Sequence, residues 1–377
     1  MPGFEIIDAA ERNAVDQLFN QGSVFFAHGF AGKRKRYCVR EFEAALSDKF
    51  GVSHSCCVSS GTAAIKIALK ALSVGPGDEV ITQAFNFVAT VEAIYDVGAT
   101  PVIIGINDTL NMDPLELERA ITCRTKAVMP VHMLGVPCEM FEINEICRKH
   151  NLPVVEDACE SIGALYDDRL TGSLGDFGVF SFDFGKNITT GEGGAIFCSD
   201  PKNYEYIKAY HDHGHKNEIG VPRGLDGIAM PGFNYRMTEI GAAIGIVQLS
   251  KLDFIIDENL KRYRILEDKL SSLFEFRAVP SRATPSYDTL IFTVDCENLR
   301  AKVIETLNDL KFGTKNLPDA MRWHCASFWG HLFTDSHSDS VTDAYERLSK
   351  CIAIPIWLER SEDDYAELAA KLLSLKL

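Results

Sequence analysis

One lysine in a glycine-rich loop constrains this chain more than any other feature. The loop joins two apolar stretches, Val179 to Phe182 and Gly194 to Cys198, and both predict β-strands. Lys186 lies between the two strands. The loop also carries four glycines, at Gly185, Gly191, Gly193 and Gly194. Glycine adopts positive φ readily and lets the backbone approach a ligand closely, so the loop is a candidate site.

The apolar strands place Lys186 at the end of a packed sheet, where its side chain is partly removed from water. Burial disfavours the charged form and lowers a lysine pKa. A neutral amine can form a Schiff base with a carbonyl compound. The alternative is a solvated loop lysine that holds a turn, as most surface lysines do no chemistry. Other parts of the chain are needed to decide between the two.

Composition sets broad limits on the architecture and on the partners. The 377 residues carry a net charge of −15, and 46% of them are hydrophobic. This length predicts one large domain, residues 1–260, and one small domain, residues 261–377. The acidic balance argues against nucleic-acid binding. It does not exclude an anionic small substrate, because local basic clusters can differ from the average.

The eleven cysteines indicate a reducing environment. Their number is odd, and no Cys-x-x-Cys pair occurs. No signal peptide is evident, and no apolar run is long enough to span a bilayer. We therefore expect a cytoplasmic protein that is not inserted in a membrane. The residue spacing supports no metal site.

Strands and helices alternate at short spacing between residues 39 and 156, which predicts an α/β fold. The strands are rich in Val and Ile, and this pattern predicts a mostly parallel central sheet with helices on both faces. Ligands bind such sheets at the carboxyl ends of the strands. Further along, Thr238 to Ile256 reads as one long helix. The segment after residue 270, with a predicted strand from Phe274 to Val279, suggests a small C-terminal α+β domain.

Three further stretches follow predicted strands and carry polar or aromatic side chains. Ser59 to Ala64 opens a helix, whose free N–H groups form an anion site, although an ordinary N-cap explains it equally well. Asp157 ends a buried strand and Glu160 follows it, and a helix cap and a first-turn acid are their alternative interpretations. Phe87 could cover the face of a flat cofactor or simply pack in the core.

Taken together, these stretches resemble the DegT/DnrJ/StrS-type sugar aminotransferases, which have the type I fold of pyridoxal-phosphate-dependent transferases. The resemblance covers nearly the whole large domain. It rests on four ordered motifs: Ser-Ser-Gly-Thr-Ala-Ala at 59–64, Glu-Asp-Ala at 156–158, the loop of Lys186 at 181–194 and Asn-Tyr-Arg-Met-Thr-Glu at 234–239. The small domain adds little to it.

The resemblance implies a role for each matching residue. Lys186 carries pyridoxal 5′-phosphate as a Schiff base and moves the proton during catalysis. Asp157 pairs with the pyridine nitrogen, Glu160 stands where the family often has Gln near the 3-hydroxyl, and Phe87 stacks on the ring. The phosphate site comprises Ser60, Gly61, Thr62 and Ser181. Asn234 reaches the phosphate of a neighbouring subunit, which implies a homodimer with shared active sites.

The implied reaction is a transamination. L-glutamate gives its amino group to the cofactor, which becomes pyridoxamine 5′-phosphate, and leaves as 2-oxoglutarate. An anionic keto or aldehydo sugar then takes the amine. Since Lys186 serves both halves, the resemblance implies ping-pong kinetics. The product belongs to amino-sugar biosynthesis, for a lipopolysaccharide, a capsule or a related glycan.

Two segments depart from the common pattern of the family. Gly29 to Tyr37 is unusually basic, and His211 to His215 is rich in histidine. Both could line the acceptor pocket, which makes Arg34, His213 and His215 candidate substrate contacts. The resemblance adds Arg236, whose guanidinium could hold a carboxylate as a fork. An acceptor with its own carboxylate or phosphate would fit. It is either a nucleotide-linked keto-deoxysugar or a free 8-oxo-octulosonate.

Three other functions are compatible with parts of the chain. A dehydratase on the same fold is disfavoured, because those relatives replace the lysine, usually by histidine. A non-catalytic ligand sensor would need a DNA-binding or signalling segment, and the first 40 residues show none. A metal-binding protein would use His211, His213 and His215, although histidines in such a loop are more often solvated or bonded to a substrate.

Overall fold

The computed structural model describes residues 3–218, 220–333 and 338–375. Its strands are, in chain order, β1 (His54–Val58), β2 (Glu79–Gln83), β3 (Thr100–Ile104), β4 (Thr125–Val128), β5 (Val155–Asp157), β6 (Leu165–Tyr166), β7 (Arg169–Leu170), β8 (Phe177–Ser181), β9 (Gly194–Cys198), β10 (Glu275–Phe276), β11 (Ala283–Thr284), β12 (Thr289–Thr293) and β13 (Cys351–Pro355). The helices are α1 (Ala9–Asn20), α2 (Cys38–Phe50), α3 (Gly61–Ala71), α4 (Ala89–Asp96), α5 (Pro114–Ala120), α6 (Met140–Lys149), α7 (Pro201–Tyr210), α8 (Glu239–Ser250), α9 (Leu252–Leu270), α10 (Glu297–Asp309), α11 (Met321–His324), α12 (Asp339–Ser349) and α13 (Glu362–Ser374).

The large domain is built on a seven-stranded sheet in the order β3-β2-β4-β5-β8-β9-β1. Strands β3, β2 and β4 pair in parallel, as do β5 and β8. Two parallel bridges, Val128 with Val154 and Val131 with Asp157, join β4 to β5. Only β9 runs antiparallel to its neighbours, β8 and β1. The predicted mostly parallel sheet is therefore confirmed.

Alternating side chains of β8 and β9 pack into two hydrophobic cores, one on each face of this sheet. Val179 and Ile196 pack with residues of α3, α4 and α7 on one face. Phe180 and Phe197 pack with residues of α2 and α8 on the other face. Burial on both faces explains why these strands read as continuous apolar runs rather than as alternating ones.

The long helix predicted from Thr238 to Ile256 is two helices, α8 and α9, so this prediction is wrong in detail. The break is at Lys251, whose N–H bonds to the oxygen of Gln248 three residues back. The Lys251 ammonium also bonds to the Glu11 carboxylate and to the carbonyl of Ile6, both at 2.7 Å. These contacts with the N-terminal segment fix a tight turn where periodicity alone suggested continuity.

Small residues of α8 make an interior contact with α2. Gly245 is buried, and a Cβ atom there would lie 2.6 Å from the Phe42 ring of α2. The absence of a side chain therefore lets α8 approach α2 closely.

The small domain contains the antiparallel sheet β10-β12-β13. Its core includes side chains of α10, α13 and the second half of α9. The predicted boundary after residue 260 falls inside α9, whose Leu252 and Ile255 pack in the large domain. The strand predicted from Phe274 to Val279 is shorter, because the N–H of Ala278 bonds to Asp108 of the large domain instead of to a strand.

Several polar residues follow strands at one edge of the large sheet. Asp157 ends β5, Ser181 ends β8, and Ser60 comes two residues after β1. Within the described part of the chain, no helix is long and apolar enough to cross a membrane.

Candidate active site

Lys186 lies in a cavity of about 360 Å³ at this edge of the sheet. Its ammonium is 3.3 Å from the Glu160 carboxylate, and the two side chains are 18% and 10% exposed. The Lys186 N–H bonds to the oxygen of Asp183, which closes a turn after β8. Of the four glycines in the loop, only Gly191 has positive φ. The sequence suggested that several loop glycines would adopt positive φ, but the loop conformation requires it at only one of the four.

The expected low pKa of Lys186 is not observed, and the reason is its carboxylate neighbour. Burial lowers the lysine pKa, as expected, but Glu160, together with Cys159 and Asp183, more than offsets this effect and the pKa is raised above its usual value. For Glu160, burial raises the pKa, whereas Lys186, His324 and Lys315 lower it to about 2. The two groups therefore form an ion pair, and Lys186 is charged in the absence of a cofactor.

Asp157 is buried at the end of β5, with its carboxylate facing the same cavity. One oxygen accepts a hydrogen bond from the Thr90 hydroxyl at 2.8 Å, and the other accepts one from the Cys159 N–H at 3.2 Å. None of the described residues forms an ion pair with Asp157. A buried carboxylate without a cationic partner is costly unless a ligand supplies one.

The N-terminus of α3 forms another wall of the cavity. The Ser60 hydroxyl accepts a hydrogen bond from the Ala63 N–H, so it is an N-cap, and it also lines the cavity. The N-cap interpretation of this motif is therefore confirmed, and its role as an anion site stays a prediction. A Cβ atom on Gly61 would lie 2.9 Å from Ser181 and 3.1 Å from Cys159, so only glycine fits between the helix and the sheet. Thr62 and Ser181 line the same space.

Phe87 lines the cavity and is 44% exposed, which does not fit ordinary core packing. Its ring is tilted by 43° against the ring of His324, with centroids 5.3 Å apart. An apolar ring held at a cavity wall offers a surface for a flat ligand.

The residues fit the cofactor that the family resemblance implies. The Glu160 Oε2 atom is buried and has no hydrogen-bond partner, so it is free to bond to a ligand hydroxyl. Asp157 would hold a protonated pyridine nitrogen. The N–H groups at the start of α3 would hold the phosphate, with Ser60, Thr62 and Ser181 beside it. Lys186 lies within the same cavity, where its amine would bind the aldehyde.

The other predicted contacts lie outside this cavity in the single chain. Asn234 is exposed and pairs with Asp212 in an isolated bridge. Arg236 binds the Asp212 carboxylate at 2.7 Å. Arg34 is buried and pairs with Glu239 at 3.1 Å. Because the structure does not bring Arg34 or Arg236 to the cavity, their contact with substrate stays a prediction.

The histidine-rich segment does not form a cluster. His211 is buried, and its Nδ1 lies 3.1 Å from the oxygen of Ile207. His213 is exposed, whereas His215 lies 3.4 Å from Asp226. Nowhere in residues 3–218, 220–333 and 338–375 do three or more His, Cys, Asp or Glu side chains converge as metal ligands. The roles of His213 and His215 toward a substrate stay predictions.

Sequence reasoning missed three cavity residues from the small domain, Lys315, Asn316 and His324. It also missed Thr90, the hydroxyl donor to Asp157. Thr90 lies in α4, and its backbone N–H bonds to the oxygen of Phe87 just before that helix, but no sequence pattern singled it out. The three small-domain residues come from a loop and a short helix with no local signal.

Comparison with known proteins agrees with this geometry. The model of the DegT/DnrJ/EryC1/StrS aminotransferase family matches residues 12–373. GDP-perosamine synthase of Caulobacter vibrioides is 40% identical over 308 residues, which cover 79% of this chain and 80% of that protein. The spore coat polysaccharide biosynthesis protein SpsC of Bacillus subtilis is 32% identical over 343 residues, 86% of each chain.

Solved structures show the same fold. An aminotransferase from Psychrobacter cryohalolentis has a TM-score of 0.85 and 25% identity, covering 97% of this chain and 96% of that one. 3-Amino-5-hydroxybenzoic acid synthase has a TM-score of 0.82 and 26% identity, covering 100% and 99%. With the family model matching almost the whole chain, this protein belongs to the DegT/DnrJ/EryC1/StrS family and is a pyridoxal-phosphate-dependent sugar aminotransferase.

Proposed function

We propose that the enzyme transfers the amino group of L-glutamate to an anionic keto or aldehydo sugar by a ping-pong mechanism. One observation carries this proposal. Lys186, paired with Glu160, and the cation-free Asp157 face a single cavity that has room for a cofactor ring. With the cofactor bound in this cavity, the Lys186 amine would transfer the proton and the Asp157 carboxylate would pair with the ring nitrogen.

When bound, pyridoxal phosphate supplies an aldehyde that accepts an amine and a ring that withdraws electrons from the reacting carbon. The Asp157 carboxylate keeps a proton on the ring nitrogen, and the Thr90 hydroxyl holds that carboxylate in place. Lys186 removes and returns the proton at the reacting carbon. Before the cofactor binds, the hydrogen bond from Lys186 to Glu160 keeps the amine oriented toward the cavity.

Ping-pong behaviour follows from the presence of one amine in this position. Lys186 would move a proton first for the donor and then for the acceptor, so the two substrates would use the same amine in turn. A dehydratase on this fold is a weaker alternative, because the proton-transferring lysine is retained here.

The acceptor carries negative charge in this proposal. The similarity to a protein named GDP-perosamine synthase favours a nucleotide-linked keto-deoxysugar. A free 8-oxo-octulosonate is the second candidate. The product then enters the biosynthesis of a lipopolysaccharide, a capsule or a related glycan. All eleven cysteines are free thiols, which supports the proposed location in the cytoplasm.

We further propose a homodimer whose subunits share their active sites. Asn234 is exposed and lies outside its own chain's cavity. The neighbouring segment exposes large apolar side chains, with Leu225 77%, Ile228 80% and Phe233 50% exposed. A partner surface would cover them.

Subunit mixing tests the shared site. Lys186→Ala and Asn234→Ala variants, each with low activity, are unfolded and refolded together. A mixed dimer has one site with both native residues if Asn234 acts across the interface, so activity returns. If Lys186 and Asn234 of the same chain form each site, the mixed dimer stays inactive. That result would overturn the shared site. Lys186→Ala refolded with itself is the control.

The absorbance of the purified protein tests the main proposal. A visible band from the bound cofactor should move to the near ultraviolet when L-glutamate is added, and a keto-sugar acceptor should restore it. Acceptors of the two candidate classes can be screened by this return. A protein that takes up no pyridoxal phosphate contradicts the proposal. A band that glutamate leaves unchanged contradicts the choice of donor.

A further inference from the structure

The small domain supplies the wall of the cavity that Lys186 faces, and two neighbouring polar residues there carry hydrogen-bond donors. Lys315 and Asn316 both line the cavity and are adjacent in the chain. Asn316 has φ of 66°, in the left-handed region that Asn tolerates better than most residues. This kink accounts for two consecutive side chains on the same wall, whereas an extended segment would point them to opposite sides.

Lys315 is a buried cation that a carboxylate of its own domain holds in place. Its ammonium lies 2.5 Å from Asp288, and both side chains are under 10% exposed. Its N–H bonds to the oxygen of Ala353 in β13, so the backbone is also fixed. Asp288 in turn accepts a hydrogen bond from Ser286 at 3.2 Å. An ammonium has three donors, so this pairing leaves two for a ligand.

Asn316 carries an unsatisfied donor. Its Nδ2 atom is buried and has no hydrogen-bond partner. Leaving a buried polar group unpaired is costly, and such groups are rare in native structures unless a ligand or water completes them. The protein therefore presents a charged donor and an amide donor side by side on one wall.

His324 does not contribute to this donor set. Burial lowers its pKa, although Glu160 opposes that effect, so the ring is neutral near pH 7. Its Nδ1 lies 2.9 Å from the oxygen of Ala320, an atom that only accepts. The neutral ring therefore carries its proton on Nδ1, and its Nε2 is an acceptor that would repel an anion.

The other charged residues that line the cavity also single out Lys315 as the group that would bind an anion. Its described lining contains four acidic residues, Asp157, Glu160, Asp183 and Glu192. Among the described residues that line the cavity, Lys186 and Lys315 are the only lysines, and there is no arginine. Lys186 is paired with Glu160 and reacts with the cofactor. Lys315, although paired with Asp288, is thus the cation of this lining whose remaining donors can bind an incoming anion.

We infer that Lys315 and Asn316 bind a carboxylate of the substrate that reacts at Lys186. Two donors on one wall match the two oxygens of a planar carboxylate. The inference rests on the proposed function, because an amino-acid donor necessarily carries such a group. A sugar-acid acceptor carries one as well, so the carboxylate could belong to either substrate.

Two unreactive probes separate these sources. Glutarate has the carboxylates of the donor without its amine, and 3-deoxy-manno-octulosonate is a sugar acid without the 8-oxo group that would be aminated. Binding of each to the cofactor-loaded enzyme is measured by calorimetry and by the change in cofactor absorbance.

The first variant is Asn316→Gly, since glycine accepts the φ of 66° and the lost amide has no partner in the protein. The second removes both members of the buried pair, Lys315→Met with Asp288→Asn, so that no charge is left unpaired. We expect binding of one probe to weaken about tenfold in the first variant and about a hundredfold in the second, the range for hydrogen bonds to a charged group. Lys350→Met, at an exposed pair of the same domain, is the control.

Each outcome decides the inference. Weaker glutarate binding assigns the carboxylate to the donor, and weaker octulosonate binding assigns it to the acceptor. Unchanged binding of both probes in variants that retain the cofactor band overturns the inference, and so does a native enzyme that binds neither probe. The proposed function fails separately, if the native enzyme does not convert its cofactor with glutamate. In the donor case the variants should raise KM for L-glutamate with little change in kcat, which a general loss of structure would not do.

Discussion

Two regions with buried carboxylates differ in how those groups are paired. In the cavity, Asp157 has no cationic partner among the described residues, and one oxygen of Glu160 bonds to nothing. In the second region, which we call the Asp212 cluster (Phe26, His28, Asp212, Arg223 and Arg236), the Asp212 carboxylate is bound by two guanidinium groups. Asp157 and Glu160 therefore have oxygens that can still bind a cation or a donor of a ligand, whereas the oxygens of Asp212 are bound by arginines of the protein.

The Asp212 cluster shows the structural case in detail. Arg223 binds both oxygens of Asp212 through its two terminal nitrogens, and Arg236 binds one of them. The Phe26 ring lies 5.1 Å from the Arg223 guanidinium and 4.9 Å from that of Arg236. Burial raises the Asp212 pKa, but the arginines and His28 outweigh it and the pKa is lowered. The cluster therefore joins the N-terminal segment to the loop after α7.

The largest effect is expected at Lys186. Lys186→Ala removes the group that moves the proton, so turnover should fall by about 10⁴-fold, the upper range for general acid–base catalysis. The measurement is single-turnover conversion of the bound cofactor by L-glutamate. Lys202→Ala, at an exposed site on α7, should be indistinguishable from the native enzyme. Substantial activity in Lys186→Ala would assign the proton transfer to another residue.

Asp157→Asn should have the second largest effect. The amide cannot stabilise a protonated ring nitrogen, so the electron-withdrawing state is lost and turnover should fall by about 10²–10³-fold. The cofactor should remain bound through Lys186, with an altered absorbance band. Asp16→Asn, at an exposed pair on α1, is the matched control. Near-native turnover in Asp157→Asn would contradict the assigned role.

Asp212→Asn tests the Asp212 cluster, where we expect an effect on the stability of the fold. Loss of a buried, doubly paired charge should cost about 3 kcal/mol of unfolding free energy. The lowered pKa means that this stability is present above the ordinary aspartate value of 3.8 and is lost as the pH falls through the depressed value. The native and variant thermal midpoints should therefore converge in acid.

An exposed pair gives the control for that experiment. Asp253 is 80% exposed and pairs with Lys49 at 2.6 Å. Asp253→Asn should change the thermal midpoint little, because exposed ion pairs contribute about 0–1 kcal/mol. Equal effects at Asp212 and Asp253 would remove the distinction that we draw between buried and exposed pairing.

The smallest effect is expected from Glu160→Gln. The amide keeps the shape of the side chain but removes the charge that raises the Lys186 pKa. Uptake of pyridoxal phosphate by cofactor-free protein should then extend to lower pH than in the native protein, because more of the amine is neutral. Absorbance after mixing, followed across pH, measures this shift. A shift to higher pH would contradict the role of Glu160 in holding Lys186 charged.

Local patterns were sufficient for part of the large domain. The bounds predicted for β9 are those observed, because it is a short apolar run that begins at a glycine-rich turn. The turn at Lys251 was missed, because it depends on Glu11, which is 240 residues away in the chain. The charge state of Lys186 was mispredicted for a similar reason. Burial could be inferred from the flanking strands, but the position of Glu160 relative to the amine could not.

The sequence by itself predicted the α/β architecture, because hydrophobic periodicity is a local property of the chain. The resemblance of four motifs to the family indicated Lys186 as the candidate reactive amine, and that role stays a prediction. The tertiary structure alone decided which charges are paired and which small-domain residues close the cavity. Lys315 reaches the cavity only because its backbone bonds to β13 and its ammonium to Asp288, contacts that sequence spacing does not encode.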